Sequence, residues 1–185
     1  MGSDFIDPKI LIKRAKDGDK DAFGQLYKIY FVPVFRYVYL RVGTKEEAEN
    51  IAQEVFLKVY KNVENYNDQG KDPLAYFFTI ARNQVIDFYR KKKPISLDQN
   101  LPVLEKLETS FGDPETTLDQ NEKARTLNAA IQSLNDIQRE VVILKFINGF
   151  ENSQVAEILD KSEEAIRQIQ HRALEVLRQK LEGLL

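Results

Sequence analysis

The chain of 185 residues has no cysteine, no tryptophan and a single histidine. Without thiols, a disulfide scaffold and thiolate metal centres are excluded. With His171 as the sole imidazole, zinc chemistry or a nucleophile–histidine triad would have to be built around one residue. No paired carboxylates and no nucleophile–base set stand out. No catalytic residue, metal ligand or cofactor is therefore expected. No apolar run approaches the ~20 residues of a membrane span, and no signal peptide opens the chain. A soluble, cytoplasmic protein is the expectation. What is present is 43% hydrophobic and 30% charged residues, enough apolar material to bury a core and exclude wholesale disorder. The length suits one large domain or two small ones.

The punctuation is helical. Asp7-Pro8 places an N-cap before a proline at the first helical position. Gly18 ends that helix and Asp19 caps the next. Thr44 with Glu47 reads as a capping box, and Asn135 with Gln138 as a weaker one. Asp72-Pro73 and Asp113-Pro114 repeat the start signal. Apolar residues recur every three or four positions after Thr44 (Ala48, Ile51, Ala52, Val55, Phe56, Val59, Tyr60) and after Pro73 (Leu74, Phe77, Phe78, Ala81, Val85, Phe88). No Asn-Gly or Asp-Gly turn joins alternating apolar runs, so strands are not indicated. The spacing predicts helices near 8–17, 20–42 (bent or broken around Pro33), 45–66, 73–92, 115–134, 136–148, 151–159 and 163–181. The fold class is all-α, with two helical domains. Residues 94–113 are read as a flexible acidic linker between 1–93 and 114–185.

The net charge of −2 conceals an uneven distribution. Residues 82–93 carry five bases (Arg82, Arg90, Lys91, Lys92, Lys93) against Asp87. Residues 95–122 carry seven acids against Lys106, and residues 161–180 carry five bases against three acids. Two basic segments around an acidic one fit two contact surfaces and a spacer. Ordinary solvated helix faces fit either patch alone.

Near the C-terminus, a short helix with Val155, Ala156, Ile158 and Leu159 is followed by Asp160-Lys161-Ser162. A longer helix then begins, which Ser162 caps. Ile166, Ala173, Val176 and Leu177 form one stripe of it; Arg167, Gln168, His171 and Arg172 share another. This is helix-turn-helix geometry, in which Arg suits guanine and Gln suits adenine in the major groove. A plain helical hairpin with a charged face fits the same segment. In the first half, the helix from Pro73 interleaves Tyr76, Phe77, Phe78, Phe88 and Tyr89 with Arg82 and Asn83, and ends in Arg90–Lys93. Aromatics among cations suit single-stranded nucleic acid. Phe77, Phe78 and Phe88 also lie on the core stripe. The polar loop from Asn65 to Asp72, with Tyr66 its one aromatic, fits either a base-cupping loop or a plain one.

Four segments carry a family resemblance. Asp17–Tyr27 resembles the start of sigma domain 2 in extracytoplasmic-function (group IV) sigma factors of bacterial RNA polymerase, members of the sigma-70 family. Glu47–Phe56 resembles their polymerase-binding helix, Ile80–Asp87 with Arg90–Lys93 their minus-10 helix, and Leu134–Leu181 their domain 4. The resemblance covers nearly the whole chain outside the linker. It implies that Glu46, Glu49, Asn50 and Gln53 meet the polymerase clamp coiled coil. It implies that Asn83 and the loop from Tyr66 to Asp72, with Arg82, Arg90 and Lys91, engage the unpaired minus-10 strand. Arg167, Gln168, His171 and Arg172 would face the minus-35 groove. The implied partners are core RNA polymerase (clamp and flap), promoter DNA as duplex and as melted non-template strand, and an anti-sigma factor, with no membrane insertion. The sequence departs from the family pattern at Asn50, where Asp is frequent, at Asp160, where a turn Gly is frequent, and at Ile169-Gln170, which inverts a basic-then-apolar pair. Two other readings remain. A free-standing helix-turn-helix regulator would leave the acidic helix around 46–54 without a task. A protein-binding adaptor would leave the Arg167/Gln168/Arg172 face as bland surface.

Overall fold

The computed structural model describes residues 6–68, 72–92, 126–127 and 129–182. All regular structure among the described residues is helical. Contacts divide the chain into two compact units, Met1–Ser96 and Leu97–Leu185. The expected linker, the Asp113-Pro114 start signal and most of the helix expected at 115–134 lie outside the described residues.

The first unit packs four helices: α1 (Pro8–Lys16), α2 (Lys20–Val42), α3 (Lys45–Asn62) and α4 (Pro73–Lys92). The start signals work as read at three of four positions. Asp7 accepts from the Lys9 N–H at 2.9 Å, Asp19 from the Ala22 N–H at 3.0 Å, and Asp72 from the Leu74 N–H at 2.9 Å. Thr44 differs: its hydroxyl donates to Glu47 Oε2 at 2.8 Å instead of capping backbone. Gly18 ends α1 with φ +93°, a left-handed conformation that costs a Cβ-bearing residue about 1–2 kcal/mol.

α2 is not broken at Pro33; it runs unbroken through it. An interior proline costs roughly 3 kcal/mol. Here Tyr30, Val34, Phe35, Tyr37 and Val38 are all buried around it, and burying each large apolar side chain returns about 1.5–3 kcal/mol. α3 ends at Asn62 and continues as a 3₁₀ turn, Val63–Asn65, rather than as the α-helix expected to Tyr66. The core is aromatic: Tyr37, Phe77 and Phe78 are fully buried, and the Phe77 ring lies 5.1 Å from Tyr30 and 5.2 Å from Phe56.

In the second unit, α5 (Asp136–Val142) starts with the Asn135/Gln138 capping box and passes into a π turn, Ile143–Ile147. The α-helix expected to 148 therefore stops early. The Asn148 N–H reaches back five residues to the Ile143 carbonyl (3.0 Å), and Gly149 at φ +74° closes the turn. α6 (Asn152–Leu159) and α7 (Glu163–Glu182) follow. Val141, Ile143, Leu144, Val155, Ile158 and Ile166 are buried, and Ala130, Ile131, Leu134, Val142, Ala173 and Leu177 form one aliphatic cluster. Arg139 is buried. It ties down the end of the preceding helical residues by donating from Nη2 to the carbonyls of Gln132 and Leu134, each at 2.9 Å.

Candidate nucleic-acid and partner interfaces

The amphipathic period of α3 turns one stripe into the core and leaves the other in solvent. Ala48, Ile51, Ala52, Val55, Phe56 and Val59 are buried, while Glu46, Asn50 and Gln53 are exposed and Glu49 is half-exposed. The four residues expected to meet a partner thus share one face. Tyr60, expected in the core stripe, is instead 43% exposed, and Leu57 is 52% exposed. Leu57 stands one turn after Gln53. Leu57 falls outside the apolar stripe of the sequence, and that position on the polar side of the period is the signal of its exposure.

α4 is tied to α3 by a polar bridge. The buried Gln84 accepts from Lys58 Nζ at 2.7 Å and donates to Glu54 at 3.3 Å. On the outer side of α4, Asn83, Ile86, Arg90 and Lys91 are exposed, and Tyr76, Thr79 and Ile80 are half-buried. Arg90 pairs with Asp87 at 3.1 Å. Arg82 is half-buried, with its Nε shielded from solvent. Tyr66 departs from the expectation of a base-cupping aromatic. Its ring is 7% exposed and packs 5.1 Å from that of Tyr76. The 3₁₀ turn before it directs the side chain inward, so the accessible aromatic at the start of α4 is Tyr76. Burial raises the Tyr76 phenol above its ordinary pKa, which keeps it a neutral ring with a donor. Gln69, Gly70 and Lys71 lie outside the described residues.

The turn between α6 and α7 is three residues, as helix-turn-helix spacing requires. Asp160 adopts φ 51°, ψ 56°, the single non-glycine with positive φ among the described residues. Ser162 Oγ accepts from the Ala165 N–H at 3.1 Å, and Ile166, Ala173 and Leu177 are buried as the stripe predicts. That fixes the rotation of α7 despite the inverted Ile169-Gln170 pair. Arg167, Gln168, His171 and Arg172 are all exposed and, with Glu164, line a shallow hollow of about 330 Å³. Glu164 stands in the first turn of α7, where its charge complements the helix dipole. It also accepts from Arg167 Nε at 3.2 Å and from Gln168 at 3.3 Å. Arg167 pairs in addition with Glu163 at 3.5 Å, and His171 lies 3.5 Å from Glu175. These are exposed pairs within one helix, worth about 0.2–1 kcal/mol each. A phosphate or a base edge can therefore replace them at little cost.

Among the described residues no three His, Cys, Asp or Glu side chains gather as a metal site, and no helix is long and apolar enough to cross a membrane.

Comparison with known proteins accords with this geometry. Residues 26–95 match Sigma-70 region 2, and residues 130–179 match Sigma-70, region 4. The ECF RNA polymerase sigma factor SigW of Bacillus subtilis is 31% identical over 180 residues, covering 94% of this chain and 96% of that one. The ECF RNA polymerase sigma factor BldN of Streptomyces coelicolor is 35% identical over 167 residues; the match covers 90% of this chain but 63% of that longer relative. The fold is shared with CnrH, solved in complex with the cytosolic domain of CnrY, at a TM-score of 0.73 and 21% identity over 96% of this chain and 99% of that one. It is also shared with the sigma factor RpoE of Bartonella quintana, solved with the anti-sigma factor NepR, at 0.69 and 20% over 86% and 96%. The chain belongs to the sigma-70 family, in its extracytoplasmic-function group of RNA polymerase sigma factors.

Proposed function

We propose that the chain directs transcription initiation as a dissociable subunit of bacterial RNA polymerase. Residues 1–93 act as sigma domain 2 and residues 114–185 as sigma domain 4. α3 docks on the polymerase clamp through Glu46, Glu49, Asn50 and Gln53, with Leu57 as an apolar anchor at the end of the stripe. The outer face of α4, with Asn83, Arg90, Lys91 and part of Arg82, receives the unpaired minus-10 strand. Tyr76 takes the stacking part that Tyr66, being buried, does not offer. α7 enters the minus-35 major groove with Arg167, Gln168, His171 and Arg172. The chain itself performs no bond-making step, works in the cytoplasm, and is restrained by an anti-sigma factor.

The observation that supports this reading is the coexistence of three faces: Glu46, Asn50 and Gln53 are exposed on α3, Asn83, Arg90 and Lys91 on α4, and Arg167, Gln168, His171 and Arg172 on α7. A free-standing regulator needs only the last. The test is a gel-shift titration on promoter fragments selected from a library, with and without core polymerase. Specific binding should appear only with core, since one small module supplies few contacts. Glu49→Lys with Gln53→Ala should abolish co-elution with core. Arg167→Ala should cost roughly 1–3 kcal/mol and relax preference at one minus-35 base. Tight specific binding by the free protein would overturn the proposal in favour of a regulator.

A further inference from the structure

The connection leading into α4 is held from outside at both ends. On the near side, Lys16 Nζ donates to the Tyr66 carbonyl at 2.8 Å, across 50 residues of sequence, and Lys13 Nζ pairs with the Asp68 carboxylate at 2.9 Å. Both lysines stand in the last turn of α1. On the far side, the Tyr30 hydroxyl, from α2, donates to Asp72 Oδ1 at 3.3 Å. The same oxygen caps α4 by accepting the Leu74 N–H. Tyr30 is 4% exposed, and burial together with the Asp72 charge raises its pKa, so it stays a donor throughout the physiological range.

Lysines in a last helical turn already complement the helix dipole when fully solvated; their reach to a distant segment needs another reason. Between the two held residues, Tyr66 and Asp68, stands the exposed Asn67. The ring of Tyr66 packs 5.1 Å from that of Tyr76, which lies two helical turns from Asn83 on the same outer side of α4. Ordering one backbone residue costs about 1–2 kcal/mol. If that ordering occurs during folding, it is not required again when a strand binds.

We infer that Lys13, Lys16 and Tyr30 are positioning residues for recognition of the unpaired minus-10 strand: α1 and α2 preset Asn67 and the first turn of α4 without touching the bases. The inference rests on the reading of α4 as the strand-binding face.

The test uses reconstituted holoenzyme and single-stranded oligonucleotides, one selected from a randomised minus-10 library and one scrambled. The readout is the ratio of the two affinities. Lys16→Met keeps the aliphatic stem and removes the donor. Tyr30→Phe keeps the ring against Phe77 and removes only the hydroxyl. Each should lower the ratio roughly five- to tenfold, within the net weight of one ordinary hydrogen bond, with core affinity unchanged. Lys16→Arg should restore it. Asp68→Lys should recover what Lys13→Glu loses. An unchanged ratio, while Asn83→Ala lowers it, overturns the inference and leaves the strand-binding face standing. Equal losses on both oligonucleotides also overturn it, since the lysines would then be phosphate contacts. If Asn67→Ala and Asn83→Ala both leave the ratio unaltered, the strand-binding face itself is wrong and the inference falls with it.

Discussion

The two units hold their candidate surfaces in opposite ways. In the first, side chains beside the site are braced across helices: Gln84 joins α4 to Lys58 and Glu54 of α3, Lys16 holds Tyr66, and Tyr30 holds Asp72. In the second, the polar contacts of Arg167, Gln168 and His171 run along their own helix, to Glu163, Glu164 and Glu175. The cores differ likewise, aromatic in the first and aliphatic in the second, where Phe150 is the one buried aromatic among the described residues. On the proposed function, the difference follows the ligand. A major groove accepts a rigid helix, so burying one stripe of α7 suffices to aim the other. An unpaired strand has no fixed shape, and a surface for it must be assembled from several elements in advance.

Phe77→Ala should produce the largest effect, a loss of about 3–5 kcal/mol from the first unit. Its ring meets Tyr30, Phe56 and Tyr76, so the clamp on Asp72 should loosen with it. Calorimetry should show an early transition for the first unit alone; a single shifted transition for the whole chain would break the comparison. Arg139→Ala is the counterpart in the second unit. Removing a buried guanidinium that serves two carbonyls should cost roughly 2–3 kcal/mol, read as loss of minus-35 binding with minus-10 oligonucleotide binding intact.

Asp160→Gly should act in the other direction. Relief of the left-handed backbone is worth about 1–2 kcal/mol, and the greater freedom of glycine in the unfolded chain takes back roughly 0.4–1. A small rise in melting temperature is expected, with minus-35 preference unchanged; a fall would mean that the Asp160 side chain contributes to the turn.

The smallest effect concerns acid. The Ala22 N–H, and then Arg14, hold the Asp19 carboxyl below the usual carboxylate range. A depressed folded pKa contributes stability above the unfolded value, about 3.9, that is lost as pH falls through the folded one. Asp19→Asn keeps the cap and removes the charge. Wild type should therefore lose slightly more stability than the variant on acidification below about pH 4. Equal acid sensitivity would mean that neither the Ala22 N–H nor Arg14 favours the ionised Asp19 in solution.

The α7 surface was legible before any coordinates, because local rules determine it. Ser162 caps the helix, the Ile166–Ala173–Leu177 stripe decides which side is buried, and Arg167, Gln168, His171 and Arg172 fall on what remains. The α3 face followed from the same period, apart from Tyr60, which the period alone could not separate from core. Helix starts were legible at Asp7, Asp19, Asp72 and Asn135, where a short polar side chain serves a backbone N–H two or three residues away. At Thr44 the same pattern resolved into a side-chain pair instead.

Tertiary structure decided the remainder. Whether α2 breaks at Pro33 depends on a balance between one lost hydrogen bond and the buried residues around it, which only packing weighs. Whether Tyr66 faces outward depends on a 3₁₀ turn and on the ring of Tyr76. The π turn that ends α5 early depends on how Asn148 and Phe150 close against the carbonyls of Ile143 and Leu144. The bracing of Tyr66, Asp68 and Asp72 joins residues about 40 to 55 positions apart, by side-chain bonds that leave no period or motif in the chain. Contacts within a turn of helix are written in spacing; contacts between helices exist only once the core has set their distance and rotation.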